Sequence, residues 1–175
     1  MKLLGISGSL RKDSFNTKLV KEAAGLFGEA DFEMGDLQMP LYDGDVEKDG
    51  IPAAVKTLAN QIAAADAVII ASPEYNQSFS GVLKNALDWV SRVDGNPWLD
   101  KPVALIHAAA GRTGGARASF ALRLAMVQFK PRLISGPEVL IAGAFNEFEG
   151  DTLSGERYLK ALSEAMENLR AEVGR

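Results

Sequence analysis

The feature that most limits what this chain can fold into is a set of short runs that are apolar at every position. Ala67–Ala71 reads A-V-I-I-A, and Val103–Ala108 reads V-A-L-I-H-A with a single histidine. A run without polar alternation has no face to give to water, so it belongs in a strand covered on both sides, the setting of a parallel sheet flanked by helices. Leu3–Ile6, Phe32–Met34 and Val139–Ala142 read as three further strands. Between and after these runs lie segments with one apolar stripe at helical spacing. The first is Leu19, Val20, Ala23, Ala24 and Phe27; the second Val55, Leu58, Ala59 and Ile62; the third Val82, Leu83, Ala86, Leu87 and Val90. Ala121, Leu122, Leu124 and Ala125 mark a fourth, and Leu159, Leu162, Ala165, Met166 and Leu169 a fifth. Five βα repeats with right-handed crossovers predict an α/β, doubly wound three-layer sandwich over residues 1–175 as one domain. The turn-rich segments Met39–Gly50 and Asp94–Pro97 read as surface loops, since the alternation resumes after each.

Composition removes several classes of activity. With no cysteine, the chain has no disulfide, no thiolate nucleophile and no Cys-ligated zinc or iron–sulfur cluster. The 19 basic and 23 acidic residues are interspersed and sum to −4, which gives no electrostatic footprint for nucleic acid or an anionic membrane surface. No apolar run approaches the ~20 residues needed to span a bilayer, and M-K-L-L-G-I-S-G reads as a first strand rather than a secretion signal. A cytoplasmic protein with no nucleic-acid or membrane partner is the expectation.

Two polar loops carry the chemistry. After the first strand comes S-G-S-L-R-K-D-S-F-N at positions 7–16, where Ser9, Arg11, Ser14, Asn16 and the amides of a helix N-terminus provide donors for a phosphate, with Asn16 expected as the N-cap. The plain alternative is a solvated, Ser-rich capping loop. G-x-x-x-x-G-K-[ST] is absent, and Gly5 and Gly8 do not form G-x-G-x-x-G, so neither a nucleoside triphosphatase nor a nicotinamide-first dinucleotide fold is predicted. Ser7 and Ser9 stand where a phospho-accepting receiver needs magnesium-binding carboxylates. After the third strand comes S-P-E-Y-N, in which Pro73, Glu74, Tyr75 and Asn76 set an acceptor, a ring and an amide side by side, a cluster suited to a flat heteroaromatic ring. For strand order 2-1-3-4-5 the ligand crevice lies between strands one and three, so the two loops form one site. The loop A-A-A-G-R-T-G-G-A-R, positions 108–117, follows strand four and can wrap the edge of such a ring.

These residues resemble the NAD(P)H-dependent FMN reductases, a family with a flavodoxin-like fold that includes quinone, chromate and azo-dye reductases. The resemblance rests on G-S-L-R-K-D-S-F-N at 8–16, S-P-E-Y-N at 72–76, S-G-V-L-K-N-A-L-D-W at 80–89 and G-G-A-R at 114–117, and so covers nearly the whole chain. It implies a five-stranded parallel sheet in which Ser9, Arg11, Ser14 and Asn16 hold the FMN phosphate. Pro73, Glu74, Tyr75 and Asn76 would then follow the isoalloxazine and ribityl chain, with Gly111, Gly114 and Gly115 shaping the far side. It further implies hydride transfer from NADPH or NADH to FMN and then to a small-molecule electron acceptor such as a quinone, flavin, ferric chelate, chromate or azo compound, in a ping-pong cycle within a homodimer or homotetramer. The chemistry belongs to the cofactor, so no catalytic acid or base and no metal is expected. A departure stands at Ala108–Ala110, where family members often carry Ser or Thr; contacts there fall to backbone amides. The same fold also admits a flavodoxin-type electron carrier that NAD(P)H does not reduce directly, or a docking protein without flavin.

Several residues carry plainer readings. His107, the only histidine, lacks a second histidine or a carboxylate motif and reads as a packing residue. Arg112 and Arg117 read as solvated, with contact to a phosphorylated nicotinamide as the alternative. Lys84 and Asp88, spaced i,i+4, read as a surface pair that the resemblance would place at a subunit contact, and Trp89 reads as core. Glu74 reads as a hydrogen-bonding residue rather than a general base.

Overall fold

The computed structural model describes residues 1–175. Five parallel positions form the sheet: β1 (Lys2–Ser7), β2 (Asp31–Gly35), β3 (Ala67–Ala71), β4 (Pro102–Ala109), and a last position shared by β5 (Arg132–Leu133) and β6 (Val139–Ala142). The order is β2-β1-β3-β4-β5, with β6 pairing β4 beyond β5. The expected order is therefore present, but its fifth strand is in two pieces. Pairing with β4 runs from Pro102↔Arg132 to Val103↔Leu133 and resumes at Ile106↔Val139, so the intervening stretch loops out of the ladder. Pro137 lies there and has no N–H to give a neighbouring strand.

Helices α1 (Phe15–Phe27), α2 (Gly44–Lys48), α3 (Ala53–Ala64), α4 (Gly81–Val90), α5 (Ala116–Met126) and α6 (Glu156–Glu172) follow in chain order. Side chains along each central strand point alternately to two cores. Leu3, Ile69 and Ile106 pack with α1 and α6; Leu4, Ile70 and Leu105 pack with α3, α4 and α5. Each core contains 21 buried residues, so both faces of the sheet are equally dry, and this is why β3 and β4 read as uninterrupted apolar runs. A short hairpin, β7 (Phe148–Glu149) with β8 (Thr152–Leu153), turns at Gly150 and adds Phe148 and Leu153 to the α1/α6 side. Its strands are too short to announce themselves by periodicity.

Two local readings need correction. Asn16 is not the cap of α1: the helix starts at Phe15, and Ser14 caps it by accepting from Thr17 N at 3.4 Å. Leu124 is not part of a buried stripe. Helix α5 buries Ala118, Leu122 and Met126, and at 100° per residue Leu124 falls on the outer face, 76% exposed, in line with the exposed Phe120 and Val127. Met39–Gly50 is a surface segment that contains α2, capped by Asp43. The Asp94–Pro97 turn is anchored by the buried Trp98 next to it, which meets Phe129 edge-on at 6.4 Å between ring centroids.

Candidate cofactor cleft

The loops after β1, β3 and β4 meet above the carboxyl ends of the sheet, and a cleft of about 310 Å³ opens between them. Its walls take in Ser9, Arg11, Ser14 and Asn16 from the first loop, Pro73, Glu74 and Tyr75 from the second, and Ala108–Ala110, Gly111 and Thr113 from the third. Eight of the eleven residues singled out from the sequence thus line one cleft, and the other three, Asn76, Gly114 and Gly115, lie outside its walls.

The first loop is built to receive an anion. Its backbone amides at positions 9, 10 and 12–16 donate to nothing within the chain, whereas Arg11 N reaches Ser9 Oγ at 3.4 Å. The Arg11 guanidinium is exposed and pairs with no carboxylate. Unpaired amides at a helix N-terminus, a serine hydroxyl and a free guanidinium make a donor set that fits a phosphate. Gly8 is required beside them, because a Cβ there would meet Ser80 Oγ at 2.8 Å and Ser72 Oγ at 3.0 Å. Ser72 Oγ in turn accepts from Ser80 N at 3.1 Å, which closes the base of the second loop, and Gly8 N donates to Ala71 O at 2.7 Å, which fastens the first loop beside it.

Asn16 faces the cleft from below but is already engaged. Its Nδ2 donates to Ala108 O at 2.9 Å, and its Oδ1 accepts from Ala108 N at 3.0 Å. The β3–β4 ladder ends at Ala71↔Ile106, so the Asn16 amide stands where the next residue of β3 would pair. The cleft floor is held level by that side chain.

In the second loop Tyr75 and Ser78 exchange backbone bonds at 2.9 and 3.1 Å around Asn76 (φ 50°) and Gln77 (φ 67°), a tight turn with both central residues left-handed. Asn76 is therefore at an exposed tip rather than in the wall. Glu74 turns toward α5, where Oε2 accepts from Arg117 N at 3.0 Å and Ala118 N at 3.3 Å. The N-cap position of α5 is Gly115, which has no side chain to cap with, and Glu74 supplies the missing acceptor from another loop. Gly114 (φ 62°) packs on the Leu140 carbonyl, and Gly115 (φ 93°) sits against His107 Cβ, so both glycines serve the seating of α5.

His107 is fully buried beneath the third loop, and its Nδ1 lies 2.9 Å from Ser72 O. Burial pushes the imidazole down to about 4, the Ser72 carbonyl pulling the other way. The ring is therefore neutral at pH 7 and donates from Nδ1, in line with a packing role. Trp89 is also core, with Nε1 donating to Pro40 O at 2.8 Å. Lys84 and Asp88 pair at 2.7 Å on the surface of α4, and Arg112 and Arg117 are exposed.

A second cavity, of about 580 Å³, went unread in the sequence. It adjoins the cleft through Ser9, Arg11 and Tyr75, and is walled by Leu10, by Leu37, Gln38, Met39 and Leu41 after β2 and by Val82 and Asn85 of α4. The one available signal was Asn85, a polar residue within the apolar face of a helix. Its Oδ1 accepts from Tyr42 N at 2.8 Å and its Nδ2 donates to Pro40 O at 2.9 Å, which pins the loop after β2 onto α4.

Residues 1–146 match the family model described as NADPH-dependent FMN reductase. An NAD(P)H-dependent FMN reductase of Pseudomonas aeruginosa is 46% identical over 151 residues, covering 85% of this chain and 82% of the relative. A quinone reductase of Escherichia coli K12 is 38% identical over 161 residues, covering 89% and 84%. Among solved structures, the flavoenzyme NAD(P)H:(acceptor) oxidoreductase FerB of Paracoccus denitrificans superposes with a TM-score of 0.88 at 32% identity, covering 99% of this chain and 97% of that one. By its sequence and by the cleft that its three loops enclose, the chain belongs to the NADPH-dependent FMN reductase family.

Proposed function

We propose that this chain is an FMN-dependent NAD(P)H oxidoreductase that passes electrons to quinones and other redox-active acceptors. The observation that carries the reading is the first loop: a row of unpaired amides and an unpaired guanidinium at the N-terminus of α1, opening onto a cleft between the β3 and β4 loops. In this reading Ser9, Arg11 and the amides around Ser14 hold the cofactor phosphate, while Asn16 supports the Ala108 backbone. Pro73, Tyr75 and Ala108–Ala110 bound the region for the flat ring, and the small alanines leave its contacts to main-chain groups. Glu74, Gly111, Gly114 and Gly115 position the third loop and α5. Bound FMN would supply hydride acceptance and release, so the protein's part is to bind, orient and shield. NADPH and NADH both remain in the proposal as donors. Homodimers or homotetramers belong to it too, supported by the exposed Phe120 and Leu124 on one face of α5 and Val127 just after its end.

The test is an absorbance spectrum of the purified protein with added FMN, followed by anaerobic titration with NADPH and NADH. Rapid bleaching of bound flavin by either donor is expected. Bleaching only by dithionite would favour an electron carrier, and failure to bind FMN would overturn the reading. Arg11→Ala removes a charge-assisted contact worth about 1.5–3 kcal/mol and should weaken FMN binding roughly 10- to 100-fold with the fold intact.

A further inference from the structure

We propose that the 580 Å³ cavity beside Tyr75 seats the apolar substituent of an alkyl- or prenyl-substituted quinone, so that the enzyme favours lipophilic quinones over unsubstituted ones. This deepens the functional reading above and rests on it for the identity of the acceptor. The size is right for a small-molecule pocket, which runs about 300–1,000 Å³. The cavity adjoins the cofactor cleft, since Ser9, Arg11 and Tyr75 belong to the walls of both. An acceptor standing by Tyr75 therefore has an opening into which a substituent can extend.

The lining selects for hydrocarbon. Leu10, Leu37, Met39, Leu41 and Val82 supply its apolar wall, and Leu41 is 80% exposed at the mouth. Asn85 is spent on Pro40 and Tyr42. Arg11 is the one cation in the lining, and the phosphate loop claims it. A dinucleotide would bring two phosphates and two riboses to a wall with few free donors, whereas an alkyl chain needs none. The wall is also preformed. Besides Asn85, Trp89 Nε1 holds Pro40, and Tyr42 meets the Trp89 ring edge-on at 5.0 Å between centroids, so the pocket exists without a ligand to shape it.

Binding is read by titration calorimetry on the oxidised protein without nicotinamide, where no turnover occurs. The probes are 2-methyl-1,4-naphthoquinone and its 3-hexyl derivative. Burial of about three methylenes predicts roughly 50-fold tighter binding of the hexyl compound. Leu41→Asp and Val82→Asp should each reduce that advantage, and together bring it within about 3-fold. A hexyl advantage below about 3-fold in the unaltered protein, or one that survives the double variant, overturns the proposal. So does a cavity filled by a second copy of the chain, which would show as a lower sedimentation coefficient for Leu41→Asp with no chain-length effect. Titrations on FMN-loaded and FMN-free protein separate the two readings: loss of FMN binding sinks the function, while the chain-length comparison still judges the pocket.

Discussion

The two cavities flanking Tyr75 are built by different means. The cofactor cleft stands on the buried ends of β1, β3 and β4, and its parts are joined by polar groups sealed from water: Asn16 to Ala108, His107 to Ser72, Ser80 to Ser72. The apolar pocket stands partly on the edge strand β2, and its outer wall is tied down near the surface. There Asn85 and Trp89 hold Pro40 through half-buried bonds, and at the surface Tyr42 OH donates to Glu47 at 2.8 Å and Arg92 Nε donates to Glu47 at 2.9 Å. Buried links are strong because their loss leaves an orphaned group, and surface links are weak because water replaces either partner. The cleft should therefore be stiff and the pocket wall adjustable, an arrangement suited to one fixed cofactor and a range of acceptors.

The largest effect should follow from removing the Asn16 amide. Asn16→Ala leaves both Ala108 N and Ala108 O without their partner at the end of the β3–β4 ladder. Two buried groups at roughly 1–3 kcal/mol each predict a loss of about 4 kcal/mol by urea denaturation, together with weaker FMN binding. A loss under about 1 kcal/mol would mean that water reaches the cleft floor, and the contrast with the pocket would collapse.

His107 provides the next test. Its folded pKa of about 4 lies below the ordinary value of ~6.5, so the neutral form is favoured on folding. The unfolded chain binds the extra proton between these values, and stability must rise with pH across that window. The contribution is fully present above about pH 6.5 and is lost as pH falls toward 4, to the extent of about 3 kcal/mol. Denaturation of the parent and of His107→Gln at pH 7 and pH 4 isolates this part from other titrations, since Gln can still donate to Ser72 O. Equal pH dependence in the two proteins would show that the imidazole is not sealed under the third loop.

The contrast also explains what the sequence disclosed. The strands at Ala67–Ala71 and Val103–Ala108 are legible because two dry faces demand unbroken apolar runs. The cleft is legible because its parts are contiguous loop segments, each following one of those strands. The functions of Asn16 and Glu74 were less legible, since each is defined by a backbone group far along the chain: Ala108 for one, the start of α5 for the other. The split of the fifth strand depends on where β4 finds a partner, and Leu124 reads as core until the neighbouring helices fix which face of α5 is covered. The pocket beside Tyr75 has only Asn85 as a local signature, because its wall is a loop brought to α4 by side chains more than forty residues away.

The smallest effect belongs to that wall. Asn85→Ala removes the bonds to Tyr42 N and Pro40 O, but Pro40 O keeps Trp89 Nε1, and Tyr42 is exposed enough for water to take its amide. A loss of about 1 kcal/mol in global stability is expected. The change should instead appear locally, as faster amide hydrogen exchange over residues 38–44 with exchange in β1, β3 and β4 unaltered. FMN affinity should stay within about 3-fold, since Asn85 does not reach the cofactor cleft. If Asn85→Ala instead cost as much as Asn16→Ala, or released FMN, the loop after β2 would be part of one rigid site with the cleft, and Tyr75 would not divide a fixed region from an adjustable one.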